Sequence, residues 1–395
     1  MISKKLGLYI HIPFCIKKCS YCDFLSFSAT DQAKEQYVQQ LIKELQVRSA
    51  AFKDCFLDTV FLGGGTPSAL EERHIAGIMD AVQGNFTLEE NAEITMEMNP
   101  GTVNEQKFMA YHKAGINRIS FGVQSMQNKE LRLLGRIHTV EEFLENYKAA
   151  RKAGFSNINI DLMSALPNQT LKDVQKNLTE AVKLSPEHLS CYGLIIEEGT
   201  PFYQLYEEQE LRRQAGEERP EDTLPTEQLE REMYQWISDF LEEQGYVHYE
   251  ISNYARPGME CKHNLKYWER KEYLGVGLGA ASFVKDTRFS NVRTIEEYLQ
   301  ADIEQEMEVL MEEQEIIDET SAMEEFMFLG LRKLQGISKA EFYQSFGKEY
   351  MQVYGTVHHR MTGQGLLEEE GDRVRLSKLG IDVSNYVMGE FMQVL

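Results

Sequence analysis

The sequence predicts an α/β protein: a partial (βα)6 barrel over residues 1–300, followed by a small, mostly helical, winged-helix-like domain over residues 301–395. Three observations lead there. Short apolar runs alternate with amphipathic helical stretches as far as residue 200, about six strand–helix units in all. The residues suited to chemistry fall at the ends of the apolar runs, where a parallel barrel places its site. The alternation stops at the strongly acidic segment 304–319, and helical stretches with a short hairpin follow.

The elements read in order as follows. Residues 6–12 form a strand, and 31–52 a helix with Tyr37, Leu41, Leu45 and Arg48 at three- and four-residue steps. Residues 57–62 form a strand that runs into Gly63-Gly64-Gly65-Thr66-Pro67, and 71–82 a helix. Residues 93–98 form a strand closed by Asn99-Pro100-Gly101, then 104–114 a helix capped by Gly115. Strands 116–121, 155–163 and 188–196 alternate with helices 140–153, capped by Gly154, and 171–184. Repeated strand-then-helix units imply right-handed crossovers and a parallel sheet. Residues 207–230, charged and with prolines, read as a surface excursion or a loop-plus-helix insertion. Beyond the acidic segment, helices over 321–334, 339–346 and 350–361 precede a hairpin of 366–370 and 374–376.

Charge narrows the function. Lys plus Arg number 41 against 63 Asp plus Glu, a net charge of −22. Such a chain lacks the basic face that displaces counterions from nucleic acid or docks on anionic lipid. No window approaches the roughly 20 apolar residues of a membrane span, and the N-terminus lacks a signal-peptide pattern. The expected location is the cytoplasm, where thiols stay reduced. Six cysteines occur, at 15, 19, 22, 55, 191 and 261, and the first three crowd into one short segment. That crowding points to a metal site and away from a disulfide framework.

Cys15-Ile-Lys-Lys-Cys19-Ser-Tyr-Cys22 directly follows the first strand. The C-x3-C-x2-C spacing lets one loop hold three corners of an iron–sulfur cube. The remaining iron is then open to an external chelator, a role that suits the amino and carboxylate groups of a methionine. An electron passed to an adjacent sulfonium would break a carbon–sulfur bond. A zinc site completed by His11 or Cys55 is the other reading.

Taken with Tyr9-Ile-His-Ile-Pro-Phe-Cys15, Cys22-Asp-Phe and Gly63-Gly64-Gly65-Thr66-Pro67, the motif resembles the radical S-adenosylmethionine (SAM) superfamily. Within it the chain resembles the oxygen-independent coproporphyrinogen III oxidase group, over nearly its whole length. Phe328-Leu-Gly-Leu-Arg332 and Arg375-Leu-Ser-Lys-Leu-Gly380 resemble that group's C-terminal domain. The resemblance implies a 4Fe–4S cluster on Cys15, Cys19 and Cys22. It also implies SAM contacts at Tyr9, Tyr21, Gly64, Gly65, Thr66, Glu97, Gln124, Arg136 and Asp161. The glycines would admit the ligand to the backbone. Glu97 and Asp161 suit ribose hydroxyls, and Arg136 suits a carboxylate.

The chain departs from the oxidases in two places. They carry a further cysteine two residues after the third, where this chain has Phe24, and a long N-terminal extension, which a first strand reached by Leu6 is read as lacking. Both departures resemble the heme-chaperone branch, HemW. His263-Asn264-Leu265-Lys266-Tyr267-Trp268 matches that branch's H-N-x-x-Y-W signature. The branch implies heme as cargo and an apo-hemoprotein acceptor, such as a respiratory enzyme, without oxidase activity. His263 is then the candidate iron ligand, with Cys261 and His248 behind it. The plainer reading has His263 and Asn264 hydrogen-bonding a loop while Tyr267 and Trp268 fill core. Cys191 and Cys55 read as structural, and His358 and His359 as a solvated helix face. The enzymatic alternative is radical decarboxylation of coproporphyrinogen III propionates.

Overall fold

The structure, a computed structural model, describes residues 4–305 and 307–393. Strand β1 (Lys4–Ile12) buries Leu6, Leu8, Ile10 and Ile12 completely on one face. Its other face carries Gly7, Tyr9 and His11 into the barrel interior, so both faces are covered, as in a parallel sheet. Helix α1 (Asp31–Ser49) is capped by the Thr30 hydroxyl and ends in a 3-10 turn over Ala50–Phe52. The alternation continues through β2 (Cys55–Gly64), α2 (Glu72–Asn85), β3 (Thr87–Met98), α3 (Glu105–Lys113) and β4 (Arg118–Gln124). A short helix α4 (Asn128–Leu133) then precedes α5 (Val140–Lys152), β5 (Ile158–Ser164), α6 (Leu171–Val182) and β6 (His188–Gly193). Strands β1 to β6 pair in parallel in sequence order. Capping boxes at Thr139/Glu142 and Thr170/Asp173 start α5 and α6, which fixes where the loops above the strands end.

The segment 207–230 takes the loop-plus-helix form of the two expected, with the end of one helix, a loop and the start of the next. Thr200 and Pro201 start α7 (Pro201–Gln214), and α8 (Glu227–Glu243) buries Met233, Ile237 and Leu241 at four-residue steps. The sheet also extends further than the alternation suggests. On the β6 side it adds β8 (Asn253–Ala255) and β7 (Val247–Glu250). After α9 (Lys262–Trp268), β9 (Tyr273–Val276) pairs in parallel with β1 on the other side. Antiparallel β10 (Ala281–Val284), β11 (Thr287–Asn291) and, after α10 (Ile295–Gln300), β12 (Met311–Ile316) complete a 12-stranded sheet. The acidic segment thus supplies the edge strand β12, where charged side chains meet water and deter edge pairing. Against the division expected near residue 300, the large sheet runs through Ile316.

A second hydrophobic core, around Met327, Phe342, Tyr354 and Met361, belongs to the C-terminal part. It is built from α11 (Glu319–Gly330), β13 (Ile337–Ser338), α12 (Lys339–Phe346), α13 (Tyr350–Gly363), β14 (Leu367–Glu370) and β15 (Arg373–Leu376). That order, with a small β13-β15-β14 sheet, is winged-helix-like. Short helices α14 (Lys378–Asp382) and α15 (Ser384–Glu390) close it. His358, expected on a solvated face, is buried against Tyr350 with Glu369 3.0 Å away, whereas His359 is exposed. Among the described residues no helix is long and apolar enough to cross a membrane.

One buried carboxylate ties the sheet's extension to the barrel. Glu44 of α1 accepts from Arg48 Nε at 2.8 Å, Asn291 Nδ2 at 2.7 Å, the Gly277 N–H at 2.9 Å and the Tyr298 hydroxyl at 2.7 Å. Replacing it leaves a buried guanidinium and several donors unpaired. Glu44→Ala is expected to cost about 3–5 kcal/mol, read as a lower midpoint in urea unfolding; an unchanged midpoint would contradict the pairing.

Candidate functional site

The site forms where β1 to β6 end. Register places Ile12 of β1 opposite Gly64 of β2. The pairing continues beyond the strands: the Gly65 N–H donates to Ile12 O and the Thr66 N–H to Phe14 O, each at 2.8 Å. The cysteine loop therefore starts against the glycine turn. A Cβ on Gly64, at φ +110°, would lie 2.5 Å from the His11 ring, and one on Gly65 would lie 2.9 Å from Phe14 O. The loop is held from below by Cys15 N–H to Phe27 O at 2.9 Å and at its far end by Ser20 N–H to Leu134 O at 3.1 Å.

Cys15, Cys19 and Cys22 line one cavity of about 440 Å³, together with Tyr21, Gly64, Gly65, Thr66, Glu97, Gln124, Arg136 and Asp161. The Cys15 sulfur lies 3.5 Å from Thr66 Oγ1, and Arg136 Nη1 donates to the Cys19 sulfur at 3.4 Å. Arg136 Nη2 donates to Asn99 Oδ1 at 2.5 Å and to Gly122 O. Arg136 Nε is buried and unpartnered. Its position is set by α4, whose buried Glu130 accepts from Ser125 at 2.6 Å and Asn177 at 2.8 Å. Gln124 sits at φ +70° beside a register shift between β4 and β5, and its Oε1 accepts from the Tyr192 hydroxyl at 3.0 Å.

Tyr9 falls outside this cavity. Its hydroxyl meets His11 Nδ1 at 3.1 Å, and its ring stacks on Phe61 and lines a smaller interior cavity of about 210 Å³. Glu97 and Asp161 line both spaces. Glu97 accepts from the Gly64 N–H at 3.1 Å, and Asp161 accepts from Asn159 at 2.6 Å. Burial pushes the Glu97 carboxyl up to about 8, with Asp161 adding to the rise. Burial also raises Asp161. Burial raises the Cys22 thiol. Asn99, which donates to Thr66 Oγ1 at 2.7 Å while accepting from Arg136, escaped the sequence reading. The Asn-Pro-Gly turn after β3 was the available signal.

His263, the expected iron ligand, is inside the barrel. Its Nδ1 pairs with Thr59 Oγ1 at 2.8 Å and its Nε2 with the Tyr267 hydroxyl at 2.9 Å, and the ring stacks on Phe61. Burial pulls its titration down to about 3. With both ring nitrogens engaged, this geometry fits the hydrogen-bonding reading and offers no nitrogen to an iron. Cys261 is equally enclosed beside Glu93, and His248 pairs with Ser238 at 3.2 Å and stacks on Tyr254. The fourth ligands considered for zinc are also misplaced. His11 Nε2 is 3.0 Å from Leu25 O, and Cys55 begins β2 at the end opposite Gly64. Among the described residues no three His, Cys, Asp or Glu side chains converge on one ion.

The radical SAM superfamily model matches residues 9–181, and the HemN C-terminal domain model matches residues 317–383. The heme chaperone HemW of Lactococcus lactis is 35% identical, over 99% of this chain and 98% of its own. That of Bacillus subtilis is 36% identical, over 97% and 98%. The chain belongs to the HemW heme-chaperone family. HemW of Escherichia coli is 41% identical over 70% of this chain and 69% of its own. The structure also resembles the E. coli coproporphyrinogen III oxidase HemN, a radical SAM enzyme, with a TM-score of 0.84 at 23% identity, covering 99% of this chain and 91% of that one. That likeness shows the fold.

Membership of the radical SAM superfamily implies a 4Fe–4S cluster and SAM. The residues fit both groups. A cube spreads its thiolate ligands over separate irons, and three cysteines lining one cavity suit three of its corners. The side-chain-free wall at Gly64 and Gly65 and the unpartnered Arg136 Nε suit a ligand with amino and carboxylate groups.

The raised Glu97 carboxyl has a measurable consequence. Its ordinary value is 4.5 and its folded value about 8, so the native state keeps a proton that the unfolded chain gives up across that window. Stability of the ligand-free protein therefore falls as pH rises through it. Glu97→Gln is expected to flatten that fall, measured as urea midpoints at about pH 5 and about pH 8; parallel slopes in parent and variant would contradict the assignment.

Proposed function

We propose that this chain binds heme and hands it to an apo-hemoprotein in the cytoplasm, a respiratory enzyme being the acceptor class in view. In this reading Cys15, Cys19 and Cys22 hold a 4Fe–4S cluster, and the adjoining wall holds SAM. The near full-length likeness to HemW proteins supports the cargo, and the gathering of the cysteines with the glycine turn and Arg136 in one cavity supports the cofactors.

Within the cavity each side chain has a distinct task. Backbone at Gly64 and Gly65 receives an amino group, and Arg136 receives a carboxylate with its unpartnered Nε while its Nη1 lies against Cys19. Glu97 and Asp161 accept ribose hydroxyls, and a protonated Glu97 can also donate. Tyr9, one layer deeper, supports that wall through Phe61. When bound, the cluster and SAM supply one-electron chemistry at a sulfonium. Phe24, 64% exposed at the cavity mouth where the oxidases carry a cysteine, favours the chaperone reading over decarboxylation.

Anaerobic titration of cluster-loaded protein with heme, followed by absorbance in the Soret region, is expected to saturate at a fixed stoichiometry. Absence of a saturable complex would defeat the reading. Cys19→Ala is expected to abolish the brown cluster absorbance under anaerobic reconstitution; retention of a full iron complement would remove Cys19 from the ligand set.

A further inference from the structure

We propose that Arg118 is a positioning residue of the SAM site: from inside the barrel it supplies the counter-charge that keeps Asp161 a carboxylate, ready to accept the ribose hydroxyls. The proposal rests on the reading of the cysteine cavity as a SAM site. Arg118 opens β4 and is 2% exposed. It lines the interior cavity of about 210 Å³ with Glu97, Ser120, Asp161 and His188. Interiors of such barrels are ordinarily filled with branched apolar side chains. Here a full positive charge lies inside, and its Nε is buried without a hydrogen-bond partner. Among the described residues the guanidinium hydrogen-bonds to no carboxylate, and Glu93 and Asp161 act on it across a gap. A buried cation is tolerated only where charges around it compensate. Glu93 is taken up at the start of α9, where it accepts from the Lys262 and His263 N–H groups, each at 3.1 Å. Glu97, pushed up to about 8 by burial, keeps its proton near neutral pH. That leaves Asp161 as the charged carboxylate of the cavity, one anion to one cation.

The hydrogen bonds point the same way. Asn159 Nδ2 donates to Asp161 Oδ1 at 2.6 Å and to Ser120 Oγ at 2.8 Å, so Asn159 Oδ1 is an acceptor. His188 Nδ1, 2.6 Å from that oxygen, therefore carries the proton. Its Nε2 then accepts from the Tyr249 hydroxyl at 2.8 Å, whose oxygen accepts from the Cys261 N–H at 3.3 Å. Ser120 turns its own proton toward Asp161 Oδ2 at 3.4 Å. Every link runs toward Asp161 and leaves it acceptor-only, as an ionised carboxylate is. Burial raises Asp161, and Ser190, Asn159, Arg118 and Ser120 pull it back.

The other titratable groups around Asp161 bring it no charge. Burial lowers His188 on β6 and His263 on α9, so both stay neutral. Burial raises Tyr9 on β1, Cys191 and Tyr192 on β6, and Tyr267 on α9. Arg136, at the rim, spends its Nη groups on Cys19, Asn99 and Gly122. A charged acceptor holds a hydroxyl more strongly than a neutral carboxyl does. Arg118 thus acts on SAM through Asp161, without touching it.

The test is the SAM affinity of anaerobic, cluster-loaded protein, measured by equilibrium dialysis. Arg118→Met is expected to weaken binding about tenfold near neutral pH, and Arg118→Lys to recover most of that loss. Without the cation Asp161 ionises only at higher pH, so the loss is expected to shrink between about pH 6 and about pH 9. In an Asp161→Asn background, Arg118→Met is expected to cost little further. Parent-like affinity in Arg118→Met, a loss that does not change with pH, or an equal loss in the Asp161→Asn background would overturn the proposal. Infrared spectra of the parent and Asp161→Asn near neutral pH read the charge without any Arg118 variant. The expected difference is a lost carboxylate band; a lost protonated-carboxyl band would overturn the proposal. A parent that binds no SAM would instead defeat the cofactor reading, and the infrared difference would still test the charge on Asp161.

Discussion

The parallel pairing of β1 with β2 is the constraint on which the site depends. Ile12 and Phe14 carbonyls accept from Gly65 and Thr66, so the loop that carries the cysteines and the turn that lacks side chains leave the sheet as neighbours. A residue with a Cβ at Gly65 would press on the backbone of Pro13 and Phe14 and separate them. The remaining strands then bring one functional group each to the same rim: Glu97 from β3, Gln124 from β4 and Asp161 from β5. Arg136 arrives by a different route, through a short helix anchored on buried Glu130, and links the sulfur of Cys19 to Asn99.

Concentrating these groups in a water-poor rim has an electrostatic cost. Two carboxylates, Glu97 and Asp161, face one space, and burial pushes both upward. The protein offsets this with backbone and side-chain donors at Gly64, Asn159 and Ser120 and leaves the Arg136 Nε donor unpartnered. Such a wall is better satisfied with a polar ligand than without one.

The first half of the fold was legible because its signals are local and redundant. Apolar runs ended in Gly or Asn-Pro-Gly, and Thr caps opened helices α5 and α6. The later strands β7–β12 were not legible. They are short, mostly antiparallel and often half polar, as in Thr287–Asn291 and Met311–Ile316, and their pairing comes from the sheet edges they meet. The cluster loop could be read from its spacing together with the motifs around it, the spacing alone leaving zinc open. The direction of His263 could not: on the two-turn α9, side chains a few residues apart turn to opposite sides, and only the barrel decides which side is inside. His263 went inward onto Thr59 and Phe61, and Trp268 lies under the Arg332 guanidinium. Asn99 was missed because its role bridges Thr66 and Arg136, which are distant in sequence.

Anaerobic reconstitution with iron and sulfide, followed by metal analysis and low-temperature EPR of the reduced protein, tests the central claim most directly. The account requires about four irons and four sulfides per chain, with an EPR signal that changes when SAM is added. Zinc retention, or about one iron per chain with a signal indifferent to SAM, would contradict it.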